Sequence, residues 1–372
     1  MAYSTNVNVY YVDYAAGNDA TGDGSSGTPW KTLQYAVDNL TPGTDGSIVL
    51  LDTGADHVLA TSFSVATLSP TLDAPLMIAG NGGQATIDFN AGNSLVTSQD
   101  NVVFCRVTGT NLSFLSIVYL GSHSGIVDCV FDMGVKPVLL ATPVVLNGAR
   151  CFIIRSSLKI NSVNNTSFID AGDDSPVVMD SHFVSGSAVT SILYGNTFGE
   201  FALARGNYFI YQATPGAACN LLSRGSCLQH NVYYCTTTGW NAIFRVGVSP
   251  NNGLVVTNNY VEGFTVASVG LSSSSSFELI TAAIKENYYV GINSLAAGLV
   301  DDIDSLQYAD NTIEASQSAI AGTGSATDFS NRLAFFAPVE TDVYYTTRFD
   351  SIGAVAPNLA GSGAETVAMS VA

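Results

Sequence analysis

Between about Ile126 and Ile313 the apolar positions return in one short pattern, eight times. Aligning the chain on Cys129, Ser156, Ser181, Asn207, Asn231, Asn259, Asn287 and Asn311 gives successive steps of 27, 25, 26, 24, 28, 28 and 24 residues. Two residues after each anchor stands a large apolar or aromatic side chain: Phe131, Leu158, Phe183, Phe209, Tyr233, Val261, Tyr289 and Ile313. Three residues before each stands another apolar or aromatic group: Ile126, Ile153, Val178, Ala204, Leu228, Val256, Ile284 and Tyr308. A fixed period in the twenties marks a solenoid, in which each repeat buries its apolar face only against its neighbours.

The kind of solenoid follows from the segments between the anchors. They are short, rich in Val, Ile, Tyr, Phe and Thr, and broken by Gly, Asn and Ser, which predicts strands and not helices. No leucine-spaced frame and no ten-residue amphipathic run is present. The spacing apolar-x-x-anchor-x-apolar breaks the period of two by one residue at the anchor. That predicts a sharp bend there, with the anchor in the left-handed conformation that Asn tolerates. Stacked coils would then align Asn207, Asn231, Asn259, Asn287 and Asn311 into a ladder of amides bonded along the axis. The predicted class is all-β, a parallel β-helix of about ten coils between residues 46 and 314.

Earlier in the chain, Ile48–Leu51, Phe63–Val65, Leu76–Ile78, Ala85–Phe89 and Val102–Cys105 read as strands of the first coils. Before them, Val9–Asp13 reads as a strand, and Gly17-Asn18-Asp19 with Gly22-Asp23-Gly24 as a loop. From Thr28-Pro29-Trp30 onward, Trp30, Leu33, Ala36 and Val37 share one helical face. Residues 1–45 therefore form a strand, a loop and a capping helix. In this order of motifs the chain resembles the opening of right-handed parallel β-helix proteins of the pectate-lyase-like superfamily. The resemblance implies a helix that plugs the first coil and is silent about activity. After residue 314 the rhythm fades. Residues 315–372 read as a loop, closing strands at Leu333–Phe336 and Asp342–Thr346, a last strand at Asp350–Ala354, and a nearly uncharged tail fit to reach a neighbouring subunit.

Charge narrows the partners. The 372 residues carry 12 Lys and Arg against 30 Asp and Glu, a formal charge of −18, so nucleic acid and anionic membranes are repelled. No apolar run is long enough to span a membrane, and no signal peptide precedes Val9. The six cysteines show neither a CxxC pair nor a nearby His suited to zinc. Cys105, Cys129 and Cys151 recur near the coil period and are expected as one buried, reduced stack. The acidic loop at Asp13, Asp19 and Asp23 is where calcium would be sought. Its spacing matches no calcium loop, so no cofactor is expected.

Candidate chemistry lies in two stripes and one turn. The residues just before the anchors, including Asp128, Arg155 and Asp180, form a column of alternating charge, either an ion ladder or an acid–base cluster. Tyr208, Tyr260 and Tyr288, one residue after their anchors, are expected to point outward, where they could stack on sugar rings. Asp170, Asp173 and Asp174, with Asp180 nearby, offer paired carboxylates for glycoside hydrolysis. The Gly172-Asp173-Asp174 triplet resembles that of polygalacturonase-type hydrolases, whose Gly-His-Gly and Arg-x-Lys strings are absent here. Lys136, Lys159 and Lys285 fall at different coil phases, so no lyase-type base assembles.

Two readings remain. One is a non-catalytic virion surface protein, a phage decoration, spike or fibre component, trimeric or held by other virion proteins and able to bind glycans. The other is a secreted polysaccharide-degrading enzyme, hydrolase or lyase. Both place the chain outside a cell, on a particle or in the medium.

Overall fold

The computed structural model describes residues 8–41, 46–65, 70, 75–90, 95–97, 100–111, 118–136, 144–146, 148–162, 169–171, 175–185, 194–198, 200–211, 218–222, 225–235, 244–246, 253–262, 271–273, 279–290, 303–309 and 312–314. Asn311, Asp173, Asp174 and the strands expected beyond residue 315 lie outside these. The contacts divide the chain into two compact units, Met1–Val189 and Thr190–Ala372. The description below takes each unit separately.

In the first unit the chain winds through three parallel sheets, visiting each once per coil. The first face stacks Asn8–Val12, Gly46–Leu50, Leu76–Gly80, Val102–Cys105, Gly125–Val127, Phe152–Ile154 and Val177–Met179, in that order. The second face stacks His57–Val58, Ala85–Asp88, Val107–Thr110, Val130–Lys136, Ser157–Ser162 and His182–Ser185. The third stacks Phe63–Ser64, Leu95–Thr97, Val118–Leu120, Val144–Leu146 and Ile169–Ala171. Each strand pairs with its equivalent one coil away, which is the connectivity of a parallel β-helix. The faces carry unequal numbers of strands, so a coil count depends on the face chosen, and "about ten" is a rough figure.

The core follows the two apolar stripes. On the first face Ile48, Ile78, Phe104, Ile126, Ile153 and Val178 sit in one register line and are all fully buried. On the second face the line is Ile87, Gly109, Phe131, Leu158 and Phe183. A side chain on Gly109 would meet the Phe131 ring at 2.4 Å, so the glycine makes room for the ring above it. Burying each such aliphatic or aromatic group contributes about 1.5–3 kcal/mol.

The end of the first unit is closed as its sequence implies. The helix Leu33–Asn39 starts at Thr32, whose hydroxyl accepts the Tyr35 N–H, and it buries Leu33, Ala36 and Val37 against the strand Asn8–Val12. Tyr11 donates to Gly24 and accepts from Trp30, so the 13–30 loop covers the outer edge of that strand. Trp30 is buried, stacks on Tyr10 and donates its indole N–H to Gly22.

The second unit repeats the winding. Its first face stacks Leu203–Arg205, Cys227–Gln229, Leu254–Thr257, Leu279–Lys285 and Ile303–Ala309, and its second Tyr208–Tyr211, Val232–Cys235, Tyr260–Glu262, Tyr288–Val290 and Thr312–Glu314. Its third face holds Tyr194–Phe198, Ala218–Leu222, Phe244–Val246 and Leu271–Ser273.

The corner between the first and second faces corrects one expectation. The left-handed residue is not the anchor but the one before it: Asp128 (φ 54°), Arg155 (47°), Asp180 (50°), Gly206 (69°), His230 (54°), Asn258 (57°) and Glu286 (55°). The reason is geometric. A left-handed residue at the corner turns its side chain outward, and the next residue then points inward, where the anchors are buried. An Asn that itself adopted the left-handed conformation would send its amide to solvent, and the ladder would be lost.

That ladder is present. Asn231 Oδ1 accepts from the Asn207 backbone N–H at 3.0 Å and from its Nδ2 at 2.9 Å. Asn259 and Asn287 do the same for the Asn one coil earlier, at 2.9–3.0 Å. In the first unit serine replaces the amide: Ser156 Oγ accepts the Cys129 N–H and Ser181 Oγ accepts the Ser156 N–H, both at 3.1 Å.

The expected cysteine stack does not form. Cys105 registers with Val127, Cys129 is an anchor, and Cys151 precedes the strand Phe152–Ile154, so the three occupy different phases of the coil. A spacing close to the period is not the same as a shared phase. Cys105, Cys129, Cys151 and Cys227 are free thiols.

Candidate functional site

Outside the corner of the first unit two columns of side chains run side by side. The corner column is Arg106, Asp128, Arg155 and Asp180, each with positive φ and each exposed or partly so. The second column, two residues on, is Thr108, Val130, Ser157 and His182, held in register by backbone pairing. Neighbouring coils lie about 4.8 Å apart, so charge alternates along the corner at that interval. Between the columns opens a shallow groove of about 330 Å³ lined by Asp128, Arg155, Ser157, Asp180 and His182, with Gln84 at one end.

The groove is internally braced. Arg155 Nε donates to Asp128 Oδ1 at 2.7 Å and its Nη2 to Oδ2 at 2.8 Å, a two-point pair that fixes the guanidinium plane. Gln84 donates to the Asp128 carbonyl at 2.7 Å and accepts from Thr108. The bond from Arg155 holds the Asp128 carboxyl below the usual carboxylate range, and the same bond, with Asp180 adding charge, holds the guanidinium up. Asp128 therefore stays ionised and serves as a brace, not as a proton donor. Asp180 and His182 flank the buried Ser181 and are both exposed. They are the groove's remaining carboxylate and its imidazole.

The other predicted residues scatter. Asp170 lies on the third face, in register with Val145, while Asp180 lies at the corner between the first and second faces, so these two belong to different sides of the coil. Asp173 and Asp174 fall outside the described residues. In the second unit Tyr208 is 54% exposed, Tyr260 is half-buried, and Tyr288 holds the same register position. The Asp13, Asp19 and Asp23 carboxylates each accept hydrogen bonds from the loop or from the segments it packs on. Asp13 accepts from Ala15, Ala16 and Thr53, Asp19 from Lys31 and Thr32, and Asp23 from Ser25 and Thr28. Among the described residues no group of three or more His, Cys, Asp or Glu is placed to hold a metal ion, and no helix is long and apolar enough to cross a membrane.

Sequence reasoning passed over His182, Gln84 and Arg106. The signal for His182 was its place two residues after Asp180 across an inward anchor. Searching for glycine-flanked histidines hid it.

The fold is a parallel β-helix. No protein-family model matches the chain, and no curated protein does so. Among solved structures it is similar to a GH136 lacto-N-biosidase from Eubacterium ramulus, with a TM-score of 0.48 at 13% identity over 84% of this chain and 68% of that one. It is also similar to the pectate lyase Pel9A, with a TM-score of 0.38 at 13% identity over 89% of this chain and 79% of that one. These likenesses concern the path of the backbone.

Proposed function

We propose that this β-helix acts on an extracellular polysaccharide and hydrolyses a glycosidic bond in the groove of the first unit. The observation that carries the reading is the pairing of an exposed carboxylate, Asp180, with an exposed imidazole, His182, beside a guanidinium that Asp128 locks in place. Asp180 at the corner and His182 at the start of the strand His182–Ser185 both line the groove, on either side of the inward Ser181. The groove, about 330 Å³, has room for a sugar oxygen and a water beside an acid and a base, the parts that hydrolysis of a glycosidic bond uses.

The roles divide by chemistry. His182, as imidazolium, donates its proton to the glycosidic oxygen as the bond from that oxygen to the anomeric carbon breaks. Asp180 takes a proton from a water whose oxygen forms the new bond to that carbon. Two of the five Arg155 N–H groups are committed to Asp128, and the others are free to hold ring hydroxyls. The −18 charge favours a neutral glycan over a polyanionic one. The virion-surface reading gains nothing from the fold or the likenesses, so it now stands second.

The test is release of reducing ends from a panel of neutral polysaccharides. Asp180→Asn and His182→Gln are each expected to lower the rate about 10²-fold or more with the thermal midpoint unchanged. Wild-type rates in both variants would refute the assignment.

A further inference from the structure

In the second unit the same second column carries aromatic groups. Tyr208, Val232, Tyr260 and Tyr288 share one register line, and Ile210, Tyr234, Glu262 and Val290 share the line two residues further along the same strands. Tyr208 is 54% and Tyr234 39% exposed, and Tyr260 is half-buried. On three consecutive rungs the tyrosines thus alternate between two outward lines. Rung spacing of about 4.8 Å and a rise of about 3.3 Å per residue put neighbouring members about 8 Å apart.

The footing of these rings is fixed from below. Tyr208 and Tyr260 each follow a ladder residue, Asn207 and Asn259, whose backbone N–H is held by the next amide in the ladder. Beneath the strip, Phe209 and Tyr233 stack face to face, with centroids 5.1 Å apart and planes 6° from parallel, and Val261 is fully buried. Such a scaffold loses little conformational freedom on binding, so ring contact shows directly as affinity. A tyrosine at a half-exposed position offers an apolar face together with a polar rim. That matches a sugar ring, whose C–H face is apolar and whose edge is hydroxylated. The acidic whole chain disfavours an anionic occupant.

We propose that Tyr208, Tyr234 and Tyr260 form a stacking platform for a neutral polysaccharide, a subsite that grips substrate without taking part in bond cleavage. This rests on the reading of the chain as acting on a neutral glycan. The experiment is calorimetric titration of the full chain with neutral polysaccharides and, separately, with polyuronate, alongside the reducing-end assay. Tyr208→Ala, Tyr234→Ala and Tyr260→Ala are made singly and together, with thermal midpoints as the folding control. The triple variant is expected to bind the neutral glycan at least about tenfold more weakly while still folding, and its residual cleavage at saturating glycan should match wild type. Tyr208→Phe should keep the affinity.

Unchanged affinity in the triple variant, with cleavage by the groove intact, would overturn the platform and leave the proposed hydrolysis standing. Tighter binding of polyuronate than of any neutral glycan would overturn the charge argument and the platform with it. A wild-type chain that binds none of the polysaccharides refutes both proposals together. Should the triple variant unfold, the single variants decide, with Tyr208→Ala alone expected to weaken binding and an unchanged value counting against the platform.

Discussion

Replacing Asn231 by alanine removes the middle of the amide ladder. Asn231 is 1% exposed and makes four bonds through its side chain: to the Asn207 N–H at 3.0 Å, to the Asn207 amide at 2.9 Å, to the Ala204 carbonyl at 2.9 Å and to Asn259 at 3.0 Å. The costliest loss is the Asn207 backbone N–H, left buried without its acceptor, at about 1–3 kcal/mol. The void left by the amide adds about 1 kcal/mol. The sum, about 3 kcal/mol, is a sizeable part of the 5–15 kcal/mol typical of a folded domain. Asn231→Ser should cost less, because Ser156 and Ser181 fill the same role in the first unit with a hydroxyl that accepts at 3.1 Å. Urea unfolding gives the midpoints, and hydrogen exchange at the Asn207 amide reports the local loss. The ladder argument fails if Asn231→Ala stays within about 0.5 kcal/mol of wild type, the range of inert surface changes. It also fails if serine proves no better than alanine.

Further expectations concern the groove and the core. Asp128 has its folded pKa lowered by Arg155, so its pairing contributes stability above the unfolded value and loses it as pH falls through the lower folded value; Arg155→Ala should move the Asp128 titration up toward 3.8 in a carboxyl-detected NMR experiment. Gly109→Ala forces a methyl to within 2.4 Å of the buried Phe131 ring and should destabilise by about 1–3 kcal/mol in the same urea assay. His57 is 2% exposed and donates from Nε2 to the Leu51 carbonyl, and its pKa is lowered by burial; stability should therefore fall as pH drops below about 6.5, a slope that His57→Phe removes. Burial pushes the Cys129 thiol up to about 12, so in the native chain it should resist alkylation while the part-exposed Cys105 reacts, as peptide mass mapping would show.

The period of the anchors and the two apolar stripes were enough to read the coil. Every described −3 and +2 position falls on the register line expected of it, because a stacking fold repeats its burial pattern at each turn. What the pattern could not place was the bend itself. Asn207 and its equivalents looked like turn residues, yet the turn belongs to Asp128, Arg155, His230 and Asn258, whose varied side chains share only their exposure. The left-handed conformation leaves no compositional mark when Arg155, His230 and Glu286 occupy it alongside Gly206. The cysteines misled for a related reason: steps of 24 and 22 residues are near the period, but a coil with variable turns lets near-period residues slip in phase. Asp180 was legible as a charge in the column. Its partnership with His182 was not, since it depends on Ser181 pointing inward.

These observations separate scaffold from surface along each strand. An inward anchor, serine or asparagine, ties one coil to the next through a backbone N–H, and the described residues on either side of it are exposed or half-exposed. The corner and the position after the anchor can therefore vary without breaking the ladder bonds: Asp180 and His182 stand beside a serine rung, Tyr208 beside an asparagine rung. A solenoid built this way changes what it touches by exchanging outward neighbours of a fixed ladder. It follows that substitutions at Asp180, His182 and Tyr208 should alter what the surface does while leaving unfolding midpoints in place, and that Ser181 or Asn207, one residue away, should do the reverse.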